Sequence, residues 1–202
     1  MEKPKEEERH VKIILLGESG VGKTSIINRY INNEFSLDTT STYGSAFTTK
    51  IILKDNVKYY VNVWDTSGQE RYHSITSLFI KGSNIVILVY SIDSKSSFDG
   101  LDLWYNLLKE KLEEDKYILA IVGSKMDLID NEVIPEEEAR KYAKNKNAIF
   151  KLVSAKEDLN GINKLFELLL NELISGKKYE VRGESIAIPR PIIIKNQKKE
   201  CC

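Results

Sequence analysis

The chain has 202 residues, with 30 Lys and Arg against 30 Asp and Glu. That length predicts one domain with extensions, large enough to bury a core without disulfide staples. The zero formal net charge speaks against a nucleic-acid partner, since general nucleic-acid binders carry a basic excess. Cys201 and Cys202 are the only cysteines. Adjacent at the end of the chain, they build no disulfide framework, and such usage suits a reducing compartment. No run of about 18 apolar residues is present, so no membrane-spanning helix is expected.

Residues 1–9 are nearly all charged, with no apolar run behind them. They are expected to be a disordered extension and not a signal peptide. Val11–Leu16 is a strand-like apolar run ending in Gly17, and Gly22–Asn32 follows as a helix. Ile51–Leu53 and Tyr59–Val63 are predicted strands joined by a hairpin turn at Lys54-Asp55-Asn56. Ile85–Tyr90 and Tyr117–Val122 are continuous apolar runs, as buried parallel strands are. Between them Phe98, Leu101, Leu107, Leu108 and Leu112 give one helix an apolar stripe. Pro135 followed by Glu136, Glu137 and Glu138 starts another helix, with carboxylates at its positive end. Ile149–Val153 is a short strand. Ile162, Leu165, Phe166, Leu169, Leu170 and Leu173 recur at helical spacing. From about Gly176 the chain turns Lys-rich, and its run Ile186–Ile194 is broken by Pro189 and Pro191, hence extended. Alternating strands and helices predict an α/β fold, a mostly parallel sheet covered on both faces. Ligands in such sheets bind beyond the carboxyl ends of the strands.

The strongest motif stands at such an end. Gly17-Glu18-Ser19-Gly20-Val21-Gly22-Lys23-Thr24 fits GxxxxGK[ST] between a strand and a helix. Its glycines let backbone N–H groups turn toward phosphate oxygens, and the helix adds the positive end of its dipole. Lys23 brings a mobile charge to the β- and γ-phosphates, and the Thr24 hydroxyl is a hard oxygen ligand for Mg²⁺. This loop alone does not choose between ATP and GTP. A second strand ends in Trp64-Asp65-Thr66-Ser67-Gly68-Gln69. Asp65 there suits Mg²⁺, the Gly68 N–H suits a γ-phosphate, and the Gln69 amide suits an attacking water.

Gly17 to Ser25 and Trp64 to Ser74, taken together, resemble the Rab branch of the Ras-like small GTPases, closest to the endosomal Rabs. The likeness runs from about Val11 to Ile174. It implies a P-loop NTPase fold with a six-stranded sheet, one edge strand antiparallel. It divides the chain into an extension at 1–9, a GTPase domain at 10–175 and a variable tail at 176–202. It places Ser19, Gly20, Val21, Gly22, Lys23, Thr24 and Ser25 on the nucleotide. By its Thr-x-Gly-x-x-Phe pattern Thr42 joins Thr24 and Asp65 on Mg²⁺, although Thr39, Thr40 and Ser41 offer further hydroxyls. It makes Gln69 the catalytic residue. No arginine finger is identifiable in cis, so slow turnover and an activating partner are expected.

The base-reading elements also follow the family. Ser124-Lys125-Met126-Asp127 resembles its Asn-Lys-x-Asp motif. The Asp127 carboxylate would accept from the guanine N1–H and exocyclic amine, a donor pair that adenine lacks. Lys125 would lie along the base. Ser154-Ala155-Lys156 resembles the loop whose central N–H meets guanine O6. Ser124 departs from the family Asn, and its shorter side chain is expected to weaken nucleotide holding by about 1–2 kcal/mol.

Phe47, Trp64 and Phe79 match an effector-facing aromatic triad, core packing being the alternative for Trp64. Cys201 and Cys202 resemble the doubly geranylgeranylated Rab tail, and two chains anchor where one does not. His10 and His73 need no catalytic role. The resemblance implies a monomeric switch that cycles between GTP and GDP and recruits effectors in vesicle traffic. It also implies an exchange factor, an activating protein, and a GDP-dissociation inhibitor or escort protein. The expected place is the cytoplasmic face of intracellular membranes, endosomal ones in particular, with a cytosolic pool. The competing readings are a guanine-nucleotide module with little useful turnover and, opposed by Asp127, an ATP-dependent kinase.

Overall fold

The computed structural model describes residues 7–37, 42, 45–68, 78–113 and 116–176. In chain order these form β1 (Glu7–Leu16), α1 (Lys23–Asn32), β2 (Ser45–Lys54), β3 (Val57–Thr66), β4 (Ile85–Ser91), α2 (Lys95–Asp99) and α3 (Leu101–Lys111). There follow β5 (Ile118–Ser124), a 3-10 helix (Met126–Asn131), α4 (Glu136–Asn145), β6 (Ile149–Leu152) and α5 (Leu159–Ser175). The strands make one six-stranded sheet in the order β2-β3-β1-β4-β5-β6. Only the β2–β3 pair is antiparallel.

Side-chain alternation sends each strand's apolar residues to two faces. Ile13, Leu15, Ile85, Ile87 and Val89 share one core with Ile26 of α1 and Phe166 and Leu169 of α5. Ile14, Leu16, Val86, Leu88 and Tyr90 share the other with Phe98, Leu101, Trp104 and Ala139. Every residue of β4 and β5 is buried, which is why both read as unbroken apolar runs. On the first face Tyr30 stacks on Phe166 with ring centroids 3.7 Å apart.

Parallel register brings the strand ends to one edge. Ile14 stands beside Trp64, Leu16 beside Leu88, and Ser91 beside Ser124. The segments leaving β1, β3 and β5 therefore emerge together. The Thr66 hydroxyl donates to the Leu15 carbonyl at 2.6 Å and ties two of these ends.

The structure differs from the sequence expectations at three places. β1 begins at Glu7, inside the extension expected to be disordered, and pairs Glu7, Glu8 and Arg9 with Val57, Lys58 and Tyr59. Main-chain pairing needs no apolar side chains, and the charges are matched locally: Tyr60 donates to Glu8 at 3.0 Å and Arg9 pairs with Glu7 at 2.6 Å. β2 and β3 are longer than their apolar segments, because the ladder continues through polar pairs such as Thr49 and Asn62. Their turn places Asp55 and Asn56 at φ 50 and 60, the left-handed pair that a two-residue hairpin demands. The single stripe from Phe98 to Leu112 is split at Gly100 into α2 and α3. A Cβ at Gly100 would stand 2.6 Å from Glu18 Oε1, so the end of the Glu18 side chain packs against this junction.

Among the described residues no helix is long and apolar enough to cross a membrane. Phe166→Ala removes a ring that is 1% exposed. It is expected to lower unfolding stability of the chain by about 3–5 kcal/mol in chemical denaturation.

Candidate nucleotide site

The loop from Gly17 to Gly22 joins β1 to α1 and presses back onto β4. A Cβ at Gly17, whose φ is +144, would lie 2.1 Å from the Val89 carbonyl oxygen. Only glycine fits there, and this close approach turns the loop over the start of α1. Lys23 is 5% exposed. Its ammonium donates to the carbonyls of Gly17 at 2.8 Å and Glu18 at 2.7 Å. Burial pushes the ammonium down to about 8, against the opposing pull of the Asp65 and Glu18 carboxylates. An ammonium has three protons, so one is left for a further oxygen.

Beside it three side-chain oxygens converge. The Thr24 hydroxyl donates to Asp65 Oδ2 at 2.7 Å, and the Thr42 hydroxyl reaches the same oxygen at 3.2 Å. The two hydroxyl oxygens lie 3.0 Å apart. Each hydroxyl has one proton, so with both turned to Asp65 their lone pairs are left to accept from or coordinate a further group. Asp65 is 7% exposed, and its Oδ1 is buried without a hydrogen-bond partner. Desolvation raises the Asp65 carboxyl above its ordinary range, while Thr24, Lys23 and Thr42 oppose the rise. Among the described residues no cluster of His, Cys, Asp and Glu makes a complete metal cage. One carboxylate and two hydroxyls with an orphaned carboxylate oxygen fit Mg²⁺, which keeps most of its sphere for water and phosphate. Gly68 closes this end. A Cβ on it would stand 2.2 Å from the Glu18 carbonyl carbon and 2.3 Å from Ser19 N.

The far end is built from the loops after β5 and β6. The Ser154 hydroxyl donates to Asp127 Oδ1 at 2.6 Å. Lys156 Nζ stands 3.9 Å from Asp127 Oδ2, and the Asp127 side chain is 9% exposed. Lys125 adopts a left-handed φ of 59 and sets its Nζ 3.8 Å from Asp93 Oδ1. Ser124 is 1% exposed. Its Oγ lies 2.5 Å from the Val21 carbonyl and 2.8 Å from the Tyr90 carbonyl. Serine thus keeps a tie to the phosphate loop, but its one proton is shared between two carbonyls and none is left for a base.

Both ends open into one cleft of about 450 Å³. Of the residues singled out in the sequence, Ser19, Gly20, Gly22, Lys23, Thr24, Ser25, Thr42, Gly68, Ser124, Lys125, Asp127, Ala155 and Lys156 line it. Val21, Asp65 and Ser154 stand behind it, holding Ser124, Thr24 and Asp127. Gln69, Thr39, Thr40, Ser41, His73, the run Ile186–Ile194, Cys201 and Cys202 lie outside the described residues. Sequence reasoning missed Phe35, Ser36, Leu37 and Leu128, which also line the cleft. Phe35, an aromatic in a short polar loop after α1, was the one available signal.

The three aromatics assemble away from the cleft. Phe47 stacks on Trp64 at 5.1 Å, and Trp64 meets Phe79 at 5.0 Å. All three are half-buried, with Trp64 and Phe79 packed against the second core.

Residues 12–175 match the family described as "Ras family". The chain is 34% identical to "GTP-binding protein ypt3" of Schizosaccharomyces pombe, over 95% of each chain. It is 39% identical to "Ras-related protein Rab-11C" of Dictyostelium discoideum, over 87% of this chain and 80% of that one. It is 31% identical to "Ras-related protein Rab11D" of Nicotiana tabacum, over 95% and 92%. The chain belongs to the Ras family of small GTPases. Within that family it is a Rab GTPase, an enzyme that hydrolyses GTP and serves vesicle traffic.

Gly68→Ala is expected to push the segment after β3 off the phosphate loop. Overpacking of about 1–3 kcal/mol should weaken GTP relative to GDP by roughly tenfold in equilibrium competition.

Proposed function

We propose that this cleft holds GTP or GDP with Mg²⁺, and that its residues act as follows. The observation that carries the reading is the Thr24–Thr42–Asp65 oxygen cluster beside buried Lys23, with Asp127 at the other end of the same cleft. Lys23 and the backbone N–H groups of Ser19 to Ser25 bind the β- and γ-phosphates. Thr24, Thr42 and Asp65 hold Mg²⁺, which when bound neutralises charge on the phosphate oxygens. Asp127, oriented by the Ser154 hydroxyl, accepts from the two guanine donors. The Ala155 N–H meets O6, and the Lys125 stem covers one side of the base. Gly68 presents its N–H to the γ-phosphate. Gln69 orients the attacking water, and hydrolysis releases Thr42 and Gly68 so that both segments relax.

Effectors read the Phe47–Trp64–Phe79 face, whose stacked rings are half-buried and offer a rigid apolar anchor. An exchange factor, an activating protein, and a dissociation inhibitor or escort protein act on the cycle. The tail beyond the GTPase domain, about 176–202, carries geranylgeranyl groups on Cys201 and Cys202. These fix the chain on the cytoplasmic face of an endosomal membrane, a place supported by the Rab11 names of its relatives.

Gln69→Leu is expected to slow single-turnover hydrolysis of loaded GTP on the order of a hundredfold, the cost of a misplaced nucleophile. Wild-type stimulated hydrolysis in that variant would count against the role given to Gln69. Ser124→Asn adds an amide donor beside the base and should slow GDP release about tenfold, equivalent to about 1.4 kcal/mol. An unchanged dissociation rate would refute the weakening assigned to serine.

A further inference from the structure

Arg29 lies on the last turn of α1, the helix that Lys23 and Thr24 begin. Its side chain reaches across the fold to the loop after β6. Nε donates to the Ala155 carbonyl at 2.6 Å, and Nη2 donates to the Lys156 carbonyl at 2.9 Å. Nη1 turns the other way, to Asn33 O at 3.2 Å and Asn33 Oδ1 at 3.3 Å. The guanidinium carbon is 5.9 Å from the centroid of Phe35. One planar fork therefore holds two consecutive carbonyls of the base-side loop and the turn that leads to Phe35. Ala155, Lys156 and Phe35 all line the nucleotide cleft.

We propose that Arg29 is the positioning residue of the base-reading loop, and that it couples guanine release to movement of the segment Asn33–Leu37. The proposal rests on the reading that the Ala155 N–H meets guanine O6. A loop that makes a single bond to O6 gains from that bond only if its peptides are fixed before the base arrives. Two charge-assisted bonds from a rigid fork supply the fixing, and a lysine, as a point charge, reproduces at most one of them. Because the same guanidinium caps the Asn33 turn, displacing that turn strains the bonds to Ala155 and Lys156. An exchange factor that pulls on the segment after α1 would then loosen the base without touching it.

The test uses the full chain loaded either with GDP or with the diphosphate of 6-thioguanosine, which keeps the N1–H and 2-amino donors but replaces the 6-oxygen with sulfur, a weaker acceptor. Arg29→Ala is expected to speed GDP release roughly tenfold, the scale of one lost charge-assisted bond. Arg29→Ala should change release of the thio nucleotide by no more than about twofold, since sulfur leaves the Ala155 N–H little to hold. Arg29→Lys should fall between the two for GDP, and it keeps the question answerable if the alanine variant folds poorly. Equal acceleration of both nucleotides would mean a general staple, and unchanged GDP release would mean no coupling at all. Either result overturns the proposal alone. Wild-type protein that releases both nucleotides at the same rate would overturn the reading of Ala155, and the proposal with it.

Discussion

Two buried charges of opposite sign meet at the carboxyl edge of the sheet, and the rest of the molecule is arranged around them. Lys23 is held by two neutral carbonyls, and Asp65 keeps one oxygen with no partner. Burying either charge without full compensation is costly. A protein accepts that cost only where a ligand completes the compensation. In the proposed reading, a phosphate chain with a divalent cation would do so here, adding negative charge beside Lys23 and positive charge beside Asp65. Burial lowers the Lys23 ammonium and raises the Asp65 carboxyl, so each favours an opposite charge beside it.

The sheet makes this arrangement possible. Parallel register brings the ends of β1, β3 and β5 to one edge. The glycine approach at Val89 then folds the phosphate loop over α1. Helix α1 links the two halves of the site. It begins with Lys23 and Thr24, which line the cleft beside Asp65, and ends with Arg29, whose side chain grips the loop that carries Ala155 and Lys156. One helix thus contacts both ends of the cleft.

The parts of this site legible in the sequence are those whose chemistry is local. The phosphate loop, the Trp64–Gly68 stretch and the run Ser124–Asp127 each concentrate their signal in a few adjacent residues. The alternating apolar runs likewise give the sheet and its layers. The rest depends on distance in the chain. Arg29 meets residues more than a hundred positions away, and no periodicity announces such a pair. Phe35 enters the cleft from the loop after α1 and Leu128 from the 3-10 helix after β5, placements that depend on the folded geometry. The break at Gly100 leaves the apolar stripe uninterrupted, so periodicity alone does not reveal it. The start of β1 at Glu7 escaped notice because main-chain pairing is blind to the charged side chains it carries. Ser124 was legible as a departure, but only its contacts with Val21 and Tyr90 reveal which half of the family's network it keeps.

The most direct measurement is the rate of GDP release from the purified chain in excess Mg²⁺ and in excess chelator, repeated for Asp65→Ala. If the oxygen cluster is completed by the cation, chelation speeds release from the wild type by at least about tenfold, or about 1.4 kcal/mol. The variant should release rapidly in both conditions. Release from the wild type that is indifferent to Mg²⁺ would contradict the account, because Asp65 would then be buried for no ligand.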